Sequence, residues 1–173
     1  MQKKIIKFTI FILITFLMGV FFIGLSKDTF YSTKDLVGKK ITGIELITFN
    51  DEKIFTEIDI KKNKFILINF WASWCGPCKI EHPILLKLQE EKNLRLLGVN
   101  FKDKKENALL FLKNLGNPYN NLFYDKIGKS AVNFGIYGIP ESVLLNKDLI
   151  VIKKFIGPLS NSDFEYIKGV IKR

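Results

Sequence analysis

The sequence predicts an α/β domain with a central mixed β-sheet flanked by helices, preceded by one N-terminal transmembrane helix. Three patterns support this fold class. Apolar, strand-like runs alternate with helical patterns between residues 65 and 134. A hairpin pattern follows at 142–156, and it adds antiparallel strands to the sheet. Residues 8–25 form an unbroken stretch without a charged side chain.

The N-terminal stretch is long enough to cross a bilayer, since roughly 18–20 apolar residues suffice for a helix to do so. Three lysines precede it, and such a basic flank stays in the cytoplasm. A cleaved signal peptide is the alternative, but signal cores are shorter and end in a small-x-small site, which Gly24-Leu25-Ser26 only approximates. We expect a retained anchor. The predicted division is a cytoplasmic basic flank at 1–7, a transmembrane anchor at 8–25, a juxtamembrane linker at 26–40 and a folded domain at 41–173.

The remaining elements follow from local patterns. Alternating polarity around an Asn50-Asp51 turn predicts a first pair of strands, and apolar runs predict the buried strands of the sheet. Pro83 lies inside a helix, where it removes a hydrogen bond and bends the axis. The predicted strands are 41–49, 53–60, 65–70, 94–101, 121–124, 142–145 and 149–156. Four helices are predicted: one between the loop after residue 70 and about residue 92, one at 104–115, a short one around 130–134, and one from residue 162 to the end.

Two helix starts carry capping signals. Asp103 precedes the helix over 104–115 with Glu106 three residues on, and Gly116 marks its end. Ser162 and Glu165 predict a capping box for the last helix. In the helix after residue 75, Ile80, Ile84, Leu85 and Leu88 recur at helical spacing and are expected to face inward.

Cys75 and Cys78 are the only cysteines, and they lie three residues apart in the run Phe70-Trp71-Ala72-Ser73-Trp74-Cys75-Gly76-Pro77-Cys78-Lys79. Cys75 falls at a predicted strand-to-helix junction, where unpaired N–H groups and the helix dipole stabilise a thiolate. This placement predicts thiol–disulfide exchange, with Cys75 as the nucleophile and Cys78 as the resolving thiol.

Three other interpretations of the pair are weaker. A zinc site normally takes four Cys or His ligands, and His82 is the only further candidate. Covalent haem attachment needs a histidine directly after the pair, where Lys79 stands. A structural disulfide closing so short a loop contributes little chain entropy. We expect neither an organic cofactor nor a metal, only the redox-active disulfide Cys75–Cys78.

The net charge of +10 does not predict a nucleic-acid partner. Three of the charges belong to the membrane flank, and the rest are scattered without a nucleic-acid motif. The anchor implies contact with the lipid bilayer. Because an exported domain lies in an oxidising compartment, it depends on another protein for electrons.

The run Trp74-Cys75-Gly76-Pro77-Cys78-Lys79 resembles thioredoxins. Pro83 matches the helix-bending proline of that fold, and Gly138-Ile139-Pro140 resembles the loop that carries the family's cis-proline opposite the disulfide. The resemblance implies a thioredoxin-like fold and a cis Ile139–Pro140 bond. It also implies that the backbone of Ile139 binds substrate chains like an added strand, with Pro140 beside it.

A narrower resemblance covers most of the exported domain and points to the CcmG/DsbE family. The motifs are Glu81-His82-Pro83, Gly98-Val99-Asn100-Phe101-Lys102-Asp103, Gly116-Asn117-Pro118-Tyr119 and Tyr137-Gly138-Ile139-Pro140-Glu141-Ser142. Ser142 departs from the family's usual Thr. The segment around 104–124 matches the helix–strand insertion that distinguishes this group from plain thioredoxin.

This resemblance implies a reductant of cytochrome c maturation. Such proteins are single-pass proteins of the bacterial inner membrane, with a cytoplasmic N-terminus and a periplasmic catalytic domain. They reduce the disulfide of apocytochrome c, or of a maturation thiol protein, and take electrons from a transmembrane thiol carrier of the DsbD/CcdA kind. Alternatives are a TlpA/ResA-like reductant of other exported thiol proteins, a peroxidase, against which Cys78 argues, and a non-catalytic holder of apocytochrome.

The comparison with thioredoxin also suggests supporting residues. Thioredoxin has a buried aspartate where this chain has Asn69, which cannot titrate. We therefore expect Glu141 to be the carboxylate near Cys75, with Glu81 second; a carboxylate there raises the thiol pKa. Gly76 and Pro77 complete the site motif, and His82 is predicted to be a surface or docking residue. Trp71 is expected to pack internally and Trp74 to cover the disulfide while partly exposed.

Overall fold

The structure is a computed structural model that describes residues 2–26, 36–60 and 64–172. Helix α1 (Gln2–Ser26) lies in one compact unit, and the described residues from 36 onward lie in a second. Within the described part of the chain, α1 alone is long and apolar enough to cross a membrane. It begins before the predicted span 8–25, since lysines favour helix and do not interrupt it. Of the predicted linker 26–40, residues 27–35 lie outside the described residues.

The second unit alternates strands and helices before it ends in a hairpin and a helix. The strands are β1 (Glu45–Ile47), β2 (Ile54–Thr56), β3 (Phe65–Trp71), β4 (Leu94–Phe101), β5 (Asn121–Asp125), β6 (Glu141–Asn146) and β7 (Val151–Ile156). The helices are α2 (Glu57–Ile60), α3 (Gly76–Gln89), α4 (Lys105–Leu115), α5 (Lys129–Asn133) and α6 (Asn161–Ile171).

Five strands form the predicted mixed sheet in the order β5-β4-β3-β6-β7. The pairs β3–β4 and β4–β5 are parallel, whereas β6 pairs antiparallel with both β3 and β7. The central strand β3 is buried on both faces, as its continuous apolar sequence predicts. The C-terminal end of β3 and the N-terminal end of β6 therefore lie side by side at the same end of the sheet.

Each face of the sheet carries its own core. Leu67 and Trp71 of β3 pack with residues of α3, α4 and α6, while Ile66, Ile68 and Phe70 pack on the opposite face with residues of α5 and the β1–β2 region. Residues just before the predicted domain boundary join the edge strand, because Gly38 N donates to Val151 O (2.8 Å) and Val151 N donates to Lys39 O (3.0 Å).

The first strand pair is shorter than predicted. Gly43 has φ +70°, and a left-handed conformation interrupts an extended chain between 41 and β1. The predicted strand 53–60 ends at Thr56, whose N and Oγ1 both donate to Asp59 Oδ2 (2.9 and 3.1 Å). This local bonding starts the short helix α2 instead.

Both predicted caps were wrong in detail. Helix α4 has Lys104 as its N-cap, without a side-chain cap bond, because the carboxylate of Asp103 binds groups elsewhere in the site. Helix α6 has a capping box between Ser160 and Asp163, two residues earlier than the predicted Ser162 and Glu165. Ser160 and Ser162 are each followed by an acidic residue three positions later, and the helix uses the first of these two pairs.

Gly98 generates a stability prediction. A Cβ on Gly98 would lie 2.5 Å from Cγ of the buried Tyr119, and the Tyr119 hydroxyl is bonded to Asn69 (2.8 Å). Because the ring cannot move away without breaking that bond, we expect Gly98→Ala to lower the free energy of unfolding by about 2 kcal/mol. Urea unfolding of the two proteins measures the difference.

Gly169→Ala is the matched control. Gly169 lies in α6, and a Cβ there would meet nothing within 4 Å. We expect this substitution to raise the free energy of unfolding by about 0.5–1 kcal/mol. An unchanged free energy of unfolding in Gly98→Ala would show that β4 and the Tyr119 ring can move apart without loss of stability.

Candidate active site

The two cysteines form a disulfide at the start of α3. Cys75 is the N-cap residue of the helix, and Cys78 N donates to Cys75 Sγ (3.2 Å). The Sγ atoms are 2.06 Å apart. The sequence predicts this junction correctly, because β3 ends at Trp71 and Gly76 begins the helix. The free N–H groups and the positive end of the helix dipole favour a thiolate at Cys75 over one deeper in the helix.

The loop before Cys75 is attached to the end of β4 by a buried carboxylate. Ser73 donates to Asp103 through its N (2.6 Å) and its Oγ (2.9 Å), and Asn100 Nδ2 donates to Asp103 Oδ2 (3.0 Å). Trp74 Nε1 donates to Lys102 O (3.2 Å). These bonds fix the chain on which Cys75 is presented, a role that the sequence did not suggest for Asp103.

Trp74 is 58% exposed beside the disulfide. It borders a cavity of about 240 Å³ whose other lining residues include Cys75, Gly76 and Phe111. Cys78 does not line this cavity. Both cysteines are buried, with 5% of Cys75 and 2% of Cys78 exposed, and Cys75 is the one of the two that borders this cavity.

The segment before β6 lies at the same end of the sheet as the loop that leads from β3 to the disulfide. The Ile139–Pro140 peptide bond is cis, which confirms that prediction. Ile139 packs against the core cluster that contains both cysteines. Gly157 N donates to Pro140 O (3.0 Å) and joins this segment to the end of β7.

Glu141, the first candidate for a carboxylate near Cys75, belongs to a buried ion pair. Its side chain is buried and its Oε1 accepts hydrogen bonds from Tyr137 N (3.2 Å) and Gly138 N (3.0 Å). Its Oε2 lies 2.7 Å from Nζ of Lys154. A buried carboxylate with a buried ammonium partner is electrically neutralised, so it has little influence on a nearby thiol.

Glu81 differs from Glu141 because it accepts hydrogen bonds from neutral groups. It is fully buried in α3, one helical turn after Cys78. Leu159 N donates to its Oε2 (2.9 Å) and Asn69 Nδ2 to its Oε1 (2.8 Å). Burial raises the pKa of Glu81 to about 7, although the hydrogen bonds from Leu159 and Asn69 oppose this shift. The role of either carboxylate at the Cys75 thiol stays a prediction.

A hydrogen-bonded chain orients the partner of Glu81. Tyr119 OH donates to Asn69 Oδ1 (2.8 Å), and Asn69 Nδ2 donates to both Glu81 and Ser142 Oγ (3.0 Å). Burial, together with the charge of Glu81, raises the pKa of Tyr119 well above its ordinary value, so its hydroxyl keeps its proton. Since that hydroxyl donates to Asn69 Oδ1, the amide nitrogen faces Glu81. Sequence reasoning gave Tyr119 a motif but no role.

His82 is buried and Ile80 is exposed, which is the reverse of the prediction. His82 is buried, its Nε2 donates to Gly116 O (3.0 Å), and its ring lies edge-on to Phe111. Burial lowers the pKa of His82. Ile80 is 72% exposed. The prediction of a surface histidine was wrong because it counted only apolar residues, whereas the buried stripe of α3 includes Glu81 and His82.

The raised pKa of Glu81 predicts that the free energy of unfolding depends on pH. Because the pKa of Glu81 rises from 4.5 to about 7 on folding, the stability that its proton contributes is complete below pH 4.5 and is lost as pH rises through 7. One pKa unit corresponds to about 1.4 kcal/mol, so this contribution is about 3 kcal/mol. We expect Glu81→Gln, which cannot ionise, to escape that loss.

Urea unfolding of the oxidised protein on either side of this pH range measures the effect. The difference in unfolding free energy between Glu81→Gln and the wild type should move in favour of the variant as pH rises. Glu165→Gln, which removes an exposed carboxylate of α6, controls for the change in net charge. A variant and wild type with parallel pH dependences would show that Glu81 ionises freely in the folded state.

Comparison with known proteins agrees with this geometry. Residues 36–171 match the redoxin family. The chain is 46% identical over 100 residues to the thiol:disulfide interchange protein CycY of Rhizobium leguminosarum bv. viciae, a match that covers 58% of this chain and 54% of CycY. It is 32% identical over 158 residues to the thiol:disulfide interchange protein DsbE of Allochromatium vinosum, covering 91% of this chain and 87% of that protein.

A solved structure shares the fold. The crystal structure of a thiol:disulfide interchange protein of the thioredoxin family from Chlorobium tepidum TLS has a TM-score of 0.64 and 24% identity, and it covers 78% of this chain and 96% of that chain. The predicted thioredoxin-like fold and the predicted family are thus confirmed. The chain belongs to the redoxin family and, within it, to the thiol:disulfide interchange proteins of the DsbE kind, which are thiol:disulfide oxidoreductases.

Proposed function

We propose that the protein is a membrane-anchored reductant of cytochrome c maturation, which reduces the disulfide of apocytochrome c or of a maturation thiol protein. The observation that carries the proposal is the placement of the two cysteines. Both cysteines are buried, but Cys75 lies at the N-terminus of α3 and lines the cavity beside Trp74, whereas Cys78 lies within the first turn of the helix and does not line it. A nucleophilic thiol that a partner can reach, followed by a buried resolving thiol, is the arrangement that disulfide exchange requires.

The reaction proceeds in two exchanges. The Cys75 thiolate attacks one sulfur of the partner's disulfide, which forms a mixed disulfide and releases one partner thiolate. Cys78 then loses its proton and attacks the Cys75 sulfur, which forms Cys75–Cys78 and releases the second partner thiolate. Two electrons pass from the dithiol to the partner, and no organic cofactor or metal takes part. A transmembrane thiol carrier of the DsbD/CcdA kind supplies the two electrons that restore the dithiol.

Glu81 is the proposed proton acceptor for Cys78. The two residues lie one turn apart on the same helix and both are buried. A base is most effective when its pKa is close to the working pH, and the pKa of Glu81 is about 7. The same carboxylate, when charged, disfavours the thiolates and so makes the dithiol a better electron donor.

The remaining site residues support this chemistry. Gly76 and Pro77 form the first turn of α3, where Pro needs no hydrogen-bond donor, and a Cβ on Gly76 would meet nothing within 4 Å. Trp74 presents an exposed aromatic surface to the partner. The backbone of Ile139, ahead of Pro140, is the proposed strand-like docking edge for the substrate chain.

Helix α1 supports the proposed location. Its length and composition suit a single span, and the basic residues Lys3, Lys4 and Lys7 at its start favour a cytoplasmic N-terminus. We propose that α1 anchors the chain in the bacterial inner membrane and places the catalytic domain in the periplasm. Pairing through the Ile139 backbone does not depend on the partner's side chains, and this favours a TlpA/ResA-like reductant of other exported thiol proteins as the second candidate.

Cysteine variants test the mechanism. We expect Cys75→Ser to abolish reduction of a peptide that carries an intramolecular Cys-x-x-Cys-His disulfide, because no nucleophile remains. Cys78→Ser should instead accumulate a mixed disulfide with that peptide, since the resolving attack is lost; mass spectrometry detects the adduct. Absence of any adduct would contradict the proposed order of attack. A non-catalytic holder of apocytochrome would still bind the peptide after both substitutions and would never reduce it.

The reduction potential tests the direction of electron flow. We expect a value nearer to the approximately −270 mV of thioredoxin than to the approximately −120 mV of the oxidant DsbA. Equilibration of the full-length chain with dithiothreitol or glutathione mixtures, followed by tryptophan fluorescence, measures it. Glu81→Gln should shift the potential to a less negative value, because it removes the charge that disfavours the thiolates. A wild-type value near that of DsbA would mean that the protein forms disulfides.

A further inference from the structure

Lys154 is a buried lysine that the proposed chemistry does not use. It lies on β7, paired with Val143 of β6, and its side chain is 1% exposed. Lysine is almost never fully buried unless its ammonium is paired. The neighbouring Lys153 is 38% exposed and lies 3.7 Å from Asp163, and so shows the ordinary behaviour of a lysine on this strand.

The ammonium of Lys154 bonds to the segment that precedes Pro140. Its Nζ lies 2.7 Å from Oε2 of Glu141 and donates to Gly135 O. It also lies 5.3 Å from the centre of the Tyr137 ring, within the range of a cation–π contact. One positive charge therefore contacts the beginning, the middle and the end of residues 135–141.

Glu141 extends these contacts to two further backbone groups. Its Oε1 accepts hydrogen bonds from Tyr137 N and Gly138 N, while its Oε2 faces Lys154. The ion pair thus satisfies one carbonyl and two N–H groups of the chain just before Ile139.

The position of this segment matters because of what lies beside it. Glu141 begins β6 opposite Phe70 of β3, at the edge of the sheet where β3 leads to Cys75. Ile139 packs against the cluster that contains both cysteines. A displacement of residues 135–138 therefore displaces the Ile139 backbone relative to Cys75.

We infer that Lys154 is a positioning residue, which acts through Glu141 and Gly135 to hold the Ile139 backbone where a substrate chain docks for attack by Cys75. The inference rests on the proposed docking of substrate at Ile139. An ion pair of this kind adds little net stability compared with apolar side chains of the same volume, because both charges lose their hydration. Directional bonds to three backbone groups are what an apolar pair cannot supply.

The test compares docking-dependent with docking-independent exchange. The full-length chain, reduced and purified in detergent, is mixed with insulin, with the Cys-x-x-Cys-His peptide disulfide, or with glutathione disulfide, and the rate constants are measured. Since a misplacement of about 1 Å can cost about a hundredfold in rate, we expect Lys154→Met to slow reduction of the two polypeptide disulfides at least about tenfold. Glutathione disulfide is too short to pair along the Ile139 backbone, so Lys154→Met should reduce it at nearly the wild-type rate. The redox equilibrium of the variant with dithiothreitol should also be that of the wild type.

Lys153→Met is the matched control, because it removes a lysine from the same strand without touching residues 135–141. It should retain the wild-type rates with all three disulfides. Equal losses with the polypeptides and glutathione in Lys154→Met would indicate a general structural defect and overturn the inference. Wild-type rates in Lys154→Met would overturn it as well.

A double variant keeps the test decisive where Lys154→Met leaves Glu141 unpaired and does not fold. In Lys154→Met combined with Glu141→Gln, the amide oxygen still accepts from Tyr137 N and Gly138 N, but Gly135 O loses the Lys154 ammonium as its donor. We expect polypeptide rates below those of the wild type, with the rate for glutathione disulfide unchanged; full wild-type rates would refute the role of Lys154. A wild-type protein that reduces insulin but not the Cys-x-x-Cys-His peptide would contradict cytochrome c maturation, while the insulin rates would still decide the role of Lys154.

Discussion

The structure depends on the complete burial of β3, the strand that leads into the disulfide. It is hydrogen-bonded on both edges, to β4 and to β6, and it is covered on both faces by separate cores. A strand held on four sides cannot shift, so the loop that follows it presents Cys75 in a constant position. The polar residue that this burial encloses, Asn69, is in turn required to find partners within the protein. Those partners, Tyr119, Ser142 and Glu81, connect the sheet to the active-site helix.

Glu81 and Glu141 are both buried carboxylates, and their surroundings assign them different roles. Glu81 receives only neutral hydrogen-bond donors, and burial raises its pKa to about 7. Glu141 has the ammonium of Lys154 beside it and serves as an acceptor for backbone groups. A buried carboxylate with only neutral partners can exchange a proton near neutral pH, whereas a carboxylate bonded to an ammonium and to backbone groups maintains geometry. The same residue type thus supplies proton chemistry at one point and positioning at another.

The approach to the disulfide has two sides with different physical character. Trp74 covers one side, and its indole is fixed to the end of β4 through Lys102 O while its face remains exposed. The segment that contains Ile139 forms the other side, and its backbone is the feature that a partner chain can bind. Asp103 fixes the first side by its bonds to Ser73, and the Lys154–Glu141 pair fixes the second. Asp103 binds both the backbone and the side chain of Ser73, whereas Glu141 binds backbone groups of the second side.

The sequence by itself determined the sheet strands at 65–70 and 94–101, the hairpin at 142–156 and the junction that places Cys75 at a helix start. These features depend on neighbours along the chain, such as apolar periodicity, turn residues and a fixed cysteine spacing. The cis bond before Pro140 and the family followed instead from the resemblance of several motifs to known proteins. Only the tertiary structure decided which carboxylate remains unpaired, that His82 is buried while Ile80 is exposed, and that Lys154 and Tyr119 have partners inside the protein. The reason is that a buried polar side chain is defined by groups far away in sequence. Glu81 is bonded to Leu159, 78 residues on, and Asn69 to Tyr119, 50 residues on. Local patterns count apolar residues and so place such side chains at the surface.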